Sequence, residues 1–191
     1  MNSKIPAKTM LAAFLVFVCY NASATSTLMQ ESSWHREDPT AEDNGGGAED
    51  PSGTSSADLL LVNVGPIICG RFDSTIAGFQ PKSDDVIFAG FRTANGDEHV
   101  YFVDEWWGEP DPGEAEITQR GKTLTWAMTR TPTRGYLYRN AKLKPDEPDI
   151  DESFVTKLKL GCAEIAHDIG EVNKNNANEV LRKLNSAVSD R

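Results

Sequence analysis

The chain has 191 residues, of which 25% are charged, and its formal net charge at pH 7 is −10. An excess of acid on this scale repels phosphate backbones and anionic membrane surfaces, which disfavours nucleic-acid binding and charge-driven membrane attachment. Three cysteines in a chain of this length exclude a small scaffold held together mainly by disulfide bonds, so a hydrophobic core must supply most of the stability.

Residues 1–24 have the pattern of a secretory signal peptide. Lys4 and Lys8 form a positive start, Met10 to Tyr20 is an apolar run, and Ala22-Ser23-Ala24 offers a small-residue cleavage site. The apolar run is shorter than the roughly 20 residues that a membrane-spanning helix needs. We therefore expect a secreted, extracellular protein without membrane insertion, which carries a net charge of −12 after cleavage has removed the two lysines.

Two cysteines, Cys69 and Cys162, remain after cleavage of the expected signal peptide. An even number of cysteines in an exported protein predicts a disulfide bond between them. Their wide separation lacks the clustered spacing of zinc ligands, which makes a metal site a poor alternative. A bond that closes so long a loop stabilises the folded chain by about 4–5 kcal/mol in the chain-entropy description.

The composition divides the mature chain into two parts. Residues 25–57 are rich in glycine and acidic residues and contain few apolar side chains, which predicts a disordered acidic leader. Such a leader is either a solvated spacer or an attractive surface for a cationic partner. Residues 58–191 have the length and apolar content of a single globular domain.

The apolar pattern of residues 58–191 is mostly that of β-strands. Asn95-Gly96 lies between two apolar runs and is a strong β-hairpin signal, and Arg120-Gly121 marks a second hairpin. Leu124, Trp126 and Met128 alternate with more polar residues, as in a half-buried strand. We predict a mainly β fold, an antiparallel meander of about seven strands that is sandwich-like or barrel-like.

The C-terminal part changes to a helical pattern. A short helix is expected after Cys162, and a second helix begins near Asn175 or Asn176, both of which are good caps. Apolar residues in the second helix follow a spacing of three and four, which places them on one face. The meander is therefore expected to end in one or two helices, with the disulfide bond attaching the helical part to the second strand.

No catalytic motif is present in the sequence. The mature chain contains His35, His99 and His167, but no zinc-protease, nucleophile-elbow, phosphate-loop or dinucleotide signature. A metal site built from His99, Asp104, Glu105 and His167 is disfavoured because no helical or hairpin spacing unites these residues. We therefore expect a protein that is not an enzyme and that uses no cofactor and no metal.

The segment from residue 104 to residue 114 is the strongest candidate for a binding surface. Two adjacent tryptophans cannot both point into a core from one strand, because successive side chains face opposite sides. One of them is therefore expected in the core and the other at the surface, where aromatic residues dominate binding energies. The predicted binding residues are Glu105, Trp106, Trp107, Glu109 and Asp111.

A basic run forms a second candidate surface. Its lysines and arginines either bind an anionic ligand or balance the acidic background, and we favour charge balance. The run consists of Arg130, Arg134, Arg139, Lys142 and Lys144.

A signal peptide followed by a β-meander and a C-terminal helix is similar in outline to a lipocalin, a barrel that holds a small apolar ligand. Lipocalins carry Gly-x-Trp on their first strand. The corresponding stretch here, Gly70-Arg71-Phe72, has phenylalanine in place of the tryptophan.

A second resemblance covers residues 58–191 and includes the acidic, glycine-rich leader before them. The stretches that carry it are Leu61-Val62-Asn63-Val64-Gly65-Pro66-Ile67-Ile68, Val103-Asp104-Glu105-Trp106-Trp107-Gly108-Glu109-Pro110, Leu124-Thr125-Trp126-Ala127-Met128 and Leu160-Gly161-Cys162. In these stretches the domain resembles tick salivary proteins of the immunosuppressant and immunoglobulin-binding group.

The second resemblance implies a salivary immunomodulator that binds a host extracellular or immune-cell protein, such as an immunoglobulin. The alternative is a lipocalin-like carrier that sequesters a small ligand. The two functions differ in the interior they need: a carrier requires a hollow, apolar interior, whereas a protein-binding module requires a filled core and an exposed aromatic patch.

Overall fold

A computed structural model describes residues 29–38, 55–76, 82–106, 109–133, 137–146 and 151–189. Within these ranges, eight antiparallel strands form a closed barrel in which each strand pairs with its sequence neighbours and β1 pairs with β8. The strands are β1 (Met29–Asp38), β2 (Ser55–Val64), β3 (Ile67–Ile76), β4 (Lys82–Arg92), β5 (Glu98–Trp106), β6 (Glu109–Arg120), β7 (Thr123–Arg130) and β8 (Asn140–Pro145). The mainly β prediction is confirmed, and the predicted strand number of about seven is close to the eight strands of the barrel.

Three tight turns lie at the same end of the barrel, between β2 and β3, β4 and β5, and β6 and β7. Gly65, Gly96 and Gly121 in these turns adopt φ values of 62°, 88° and 62°, a backbone region that favours glycine. The two hairpins predicted at Asn95-Gly96 and Arg120-Gly121 are confirmed. We call this end of the barrel the turn end.

Side chains that point into the barrel form an aromatic core around Trp126. The Trp126 ring stacks on Phe72 with centroids 4.3 Å apart, and Phe88 and Phe102 each lie 5.7 Å from it. The indole Nε1 of Trp126 donates a hydrogen bond to the backbone oxygen of Tyr138 over 3.1 Å. The middle of the barrel is therefore filled by side chains.

Two helices, α1 (Glu152–Asp168) and α2 (Ala177–Ser189), pack against the outside of the barrel. Asp151 caps α1 by accepting a hydrogen bond from the backbone N–H of Ser153 over 2.9 Å. The apolar face of α1 covers outward-facing residues of β2 and β3, and that of α2 covers β4 and β5, which forms a second core outside the barrel. The members of this core include Leu60, Val62, Ile67, Val155, Leu158, Ile165, Val180, Leu181 and Leu184.

The predicted disulfide bond between Cys69 and Cys162 is confirmed. Their Cα atoms lie 5.9 Å apart, and the bond joins β3 to α1 across the outer core. It therefore attaches the helical layer to the barrel wall; the strand predicted as the second one is β3, because β1 was not predicted.

Two predictions about chain organisation require correction. The structure forms β1 and the start of β2 inside residues 25–57, so the domain begins before residue 58 and that segment is not simply a disordered leader. The first helix, which was expected after Cys162, already begins at Glu152 and includes that cysteine. The predicted signal peptide, residues 1–24, lies outside the described residues.

Candidate functional site

A cavity of about 510 Å³ opens at the turn end of the barrel. This volume is within the range of small-molecule sites in proteins. We call it the mouth cavity; its lining is Ser32, Trp34, Leu61, Asn63, Arg92, Gly96, Glu98, Ile117, Gln119, Gly121 and Leu124.

Strand alternation brings the polar residues of the mouth cavity together. Phe102, Val100 and Glu98 are alternate residues of β5, and Phe102 and Val100 belong to the inner core, so Glu98 faces the barrel interior. Leu59, Leu61 and Asn63 follow the same alternation on β2. Each strand thus contributes apolar residues to the middle of the barrel and one polar residue to its mouth.

Glu98 is the buried carboxyl group of the cavity. Arg92 donates a hydrogen bond from Nη2 to Glu98 Oε1 over 2.8 Å, because the two residues are register partners of β4 and β5. Burial raises the pKa of Glu98 above its ordinary value of 4.5, and the hydrogen bond and charge of Arg92 offset only part of that rise. The second oxygen, Oε2, is buried and accepts no hydrogen bond from any residue that the structure describes.

Asn63 supplies a second buried acceptor. Its Oδ1 is also buried without a hydrogen bond from the described part of the chain. A buried acceptor that has no donor costs about 1–3 kcal/mol. The mouth cavity therefore presents two carbonyl-type oxygens, one of which belongs to a carboxylate, that a donor-bearing ligand would satisfy.

Trp34 provides the aromatic wall of the cavity. It is buried, and its Nε1 donates to Ser32 Oγ over 3.0 Å, which fixes the plane of the indole ring. Leu61, Ile117 and Leu124 add apolar surface beside it. The combination of a carboxylate, an amide oxygen and apolar walls suits a small cation with an apolar body.

The other end of the barrel interior is polar as well. Asp104 lies six positions after Glu98 on β5 and is buried, as are Ser55 and Ser74. The Tyr138 hydroxyl is buried, and no described residue forms a hydrogen bond with it. Glu98 and Asp104 are thus two interior carboxyl groups at opposite ends of one strand, about 20 Å apart along the chain direction.

Four of the five binding residues predicted from the sequence lie on strands at the end opposite the mouth cavity: Glu105, Trp106, Glu109 and Asp111. Trp106 ends β5 opposite Glu109 at the start of β6, and Glu105 pairs with Pro110. The side chain of Asp111 accepts a hydrogen bond from the backbone N–H of Thr133. Trp107 lies outside the described residues, and the structure does not describe the side chains of Glu105, Trp106 and Glu109.

The metal set considered from the sequence is not assembled in the described ranges. His99 lies on the outer barrel wall, where its Nε2 is 3.4 Å from Glu114 Oε2, whereas His167 is on α1 beside Asp168. Among the described residues, no group of three or more His, Cys, Asp and Glu side chains is placed to hold a metal ion. No helix in these ranges is long and apolar enough to cross a membrane.

Comparisons with known proteins add no relative. No family model matches the chain. No curated protein and no solved structure is similar to it either. The assignment of a function therefore rests on the residues and their geometry.

The stretch compared with the lipocalin motif, Gly70-Arg71-Phe72, lies on β3 and not on the first described strand. The first described strand, β1, carries the buried Trp34. Glu98 and Asn63 had no sequence signal of their own, because only barrel closure reveals that both face inward.

Proposed function

We propose that this protein is a secreted, lipocalin-like carrier that binds a small cationic ligand in the mouth cavity. The observation that carries the proposal is the pair of buried, unsatisfied acceptor oxygens, Glu98 Oε2 and Asn63 Oδ1, beside Trp34 in one cavity. An ammonium group donates several hydrogen bonds and carries a positive charge, so it would supply the donor that the second oxygen of the Glu98 carboxylate lacks.

The filled middle of the barrel determines where such a ligand would bind. Trp126 and its aromatic neighbours occupy the interior, so the ligand would rest at the mouth with its apolar body against Trp34 and Ile117. Arg92 is 44% exposed at the rim, where its positive charge balances the carboxylate of Glu98. A carrier of this kind selects small amines and excludes long apolar chains that need a hollow barrel.

A pair of probes with similar skeletons and opposite charges tests this function. Phenethylamine and 3-phenylpropionate present the same ring with an ammonium or a carboxylate group. We expect isothermal titration calorimetry at pH 7 to show binding of the amine and none of the acid. Equal binding of both probes would overturn the proposal. So would the absence of heat from the amine up to about 1 mM, since a Kd above this concentration corresponds to a binding free energy of less than about 4 kcal/mol.

The second candidate function is salivary immunomodulation by binding a host protein such as an immunoglobulin. The observation that favours it is the meeting of Glu105, Trp106 and Glu109 at one hairpin end, opposite the mouth cavity. A pull-down from host plasma with the protein and with a Trp106→Ala/Trp107→Ala variant tests it. Capture of a specific protein by the native chain alone would support this function. Equal capture by the native chain and the variant would show that the two tryptophans do not form the binding surface.

A further inference from the structure

A basic cleft of about 860 Å³ lies at the seam between β1 and β8, on the barrel wall and away from the mouth cavity. Two of its charged residues, Lys142 and Lys144, belong to the basic run for which the sequence analysis weighed ligand binding against charge balance. The cleft is lined by His35, Arg36, Thr125, Asn140, Ala141, Lys142, Lys144, Pro145 and Asp146.

The cleft exists because the β1–β8 ladder is short. Within the described residues, β8 pairs with β1 only at Trp34↔Pro145 and His35↔Lys144. On its other side, β8 pairs with β7 at four positions, from Ala127↔Asn140 to Leu124↔Leu143. Residues 140–143 thus have a strand edge that faces the cleft and that no described part of β1 covers.

Lys142 and Lys144 carry positive charge along this uncovered edge. They alternate with the inward-facing Ala141 and Leu143, so both lie on the outer face, about 7 Å apart along the strand. Both are exposed, and neither forms an ion pair with any described acid. Because neither lysine has an acidic partner among the described residues, these two residues do not balance nearby negative charges of a chain whose net charge is −10.

Arg36 adds a further positive charge to the wall of the cleft. The guanidinium of Arg36 lies 5.4 Å from the centre of the Tyr138 ring, which holds it at the cleft. His35 Nδ1 lies 2.6 Å from Asp58 Oδ1, at hydrogen-bonding distance, so the Asp58 carboxylate is paired with His35. Asp146 is the one acidic residue in the described lining.

We propose that the β1–β8 cleft binds an extended acidic peptide segment of a partner protein by strand addition to β8. Backbone hydrogen bonds to the edge of residues 140–143 would provide affinity, and alternate acidic side chains would pair with Lys142 and Lys144. Lys142 and Lys144 are two residues apart, and every second side chain of an extended peptide also points to the same face. Acidic residues at alternate positions of such a peptide can therefore face the two lysines. The site is separate from the mouth cavity and does not depend on the carrier function.

Fluorescence anisotropy with defined peptides tests the charge requirement. The probe is a fluorescein-labelled octapeptide of alternating Glu and Val, and its control alternates Lys and Val. We expect the acidic probe alone to bind, and Lys142→Glu/Lys144→Glu to weaken its binding at least about tenfold, since the two charge pairs together contribute more than about 1.4 kcal/mol. The matched variant Lys122→Glu/Lys174→Glu, which changes the net charge equally at exposed positions elsewhere, should leave the affinity unchanged.

Amide hydrogen exchange separates strand addition from simple charge attraction. Bound probe should slow exchange in residues 140–143, and the milder Lys142→Ala/Lys144→Ala variant, checked for an unchanged melting curve, should lose that protection. Binding that is insensitive to both lysine variants would overturn the proposal. So would binding without protection of this edge, or lysine-dependent binding of a sulfated heparin hexasaccharide with none of the acidic peptide.

Discussion

Arg92 and Glu98 form a hydrogen-bonded ion pair of 2.8 Å across the first register pair of the β4–β5 hairpin. The pair is asymmetric, because Arg92 is 44% exposed whereas the side chain of Glu98 is only 11% exposed. The arginine satisfies one carboxylate oxygen from the rim and leaves the other inside the mouth cavity. This asymmetry makes Glu98 both the proposed ligand anchor and a source of pH-dependent stability.

The raised pKa of Glu98 predicts how stability changes with pH. Above the ordinary value of 4.5 and below the raised pKa, the folded state holds a proton at Glu98 that the unfolded state has lost. The contribution of this group is therefore fully present below 4.5 and is lost as pH rises through the raised pKa. Glu98→Gln removes the effect. The melting temperature of the variant should therefore increase relative to that of the native chain as pH rises.

Paired melting curves from about pH 4 to about pH 7 check this prediction, since other carboxyl groups titrate equally in both proteins and cancel in the difference. A difference in melting temperature that is constant across this range would show that Glu98 titrates normally in the folded chain.

Deletion of β1 should prevent cooperative folding. This strand pairs with β2 along its length, places Trp34 in the inner core, and joins α1 through Glu31 and Lys159. A protein that begins at Asp58 lacks these contacts and leaves the barrel open between β2 and β8. We expect it to show no cooperative thermal transition by circular dichroism, whereas a protein that begins at residue 25 melts cooperatively. A sharp transition in the shorter protein would contradict the assignment of β1 to the fold.

Local signals in the sequence were sufficient for much of the barrel but not for β1 or the site. Asn95-Gly96 and Arg120-Gly121 predicted two hairpins because the turn residues themselves set the backbone geometry. In β1, Met29 and Trp34 are the only large apolar residues and lie five positions apart, so alternation gave too weak a pattern for a strand. The burial of Glu98 depends on closure of the barrel by strands distant in sequence, which no local pattern records.

The Cys69–Cys162 bond should contribute strongly to stability. It closes a loop of 93 residues and attaches α1 to β3. A Cys69→Ala/Cys162→Ala variant is expected to lose about 2–5 kcal/mol of unfolding free energy. Urea denaturation of the oxidised protein and the variant measures the difference. A loss below about 1 kcal/mol would show that the outer core alone holds the helices in place.

Gly113 should be intolerant of even a methyl group. Phe102 is its register partner, and a Cβ atom at position 113 would lie 2.2 Å from Phe102 Cζ. Gly113→Ala should therefore cost about 1–3 kcal/mol through overpacking. Phe102→Leu in the same chain makes room for the methyl group, so the double variant should be more stable than the sum of the single effects predicts. Strict additivity in urea denaturation would contradict this contact.

Titration of phenethylamine into the native chain, Glu98→Gln and Asp104→Asn tests the carrier function most directly. The two variants neutralise interior carboxyl groups at opposite ends of β5, and near-ultraviolet circular dichroism confirms that each remains folded. We expect Glu98→Gln to weaken binding at least about tenfold, since a charge-assisted hydrogen bond contributes about 1.5–3 kcal/mol, and we expect Asp104→Asn to leave binding unchanged. Loss of binding in Asp104→Asn with normal binding in Glu98→Gln would place the ligand at the other end and contradict the mouth cavity as the site.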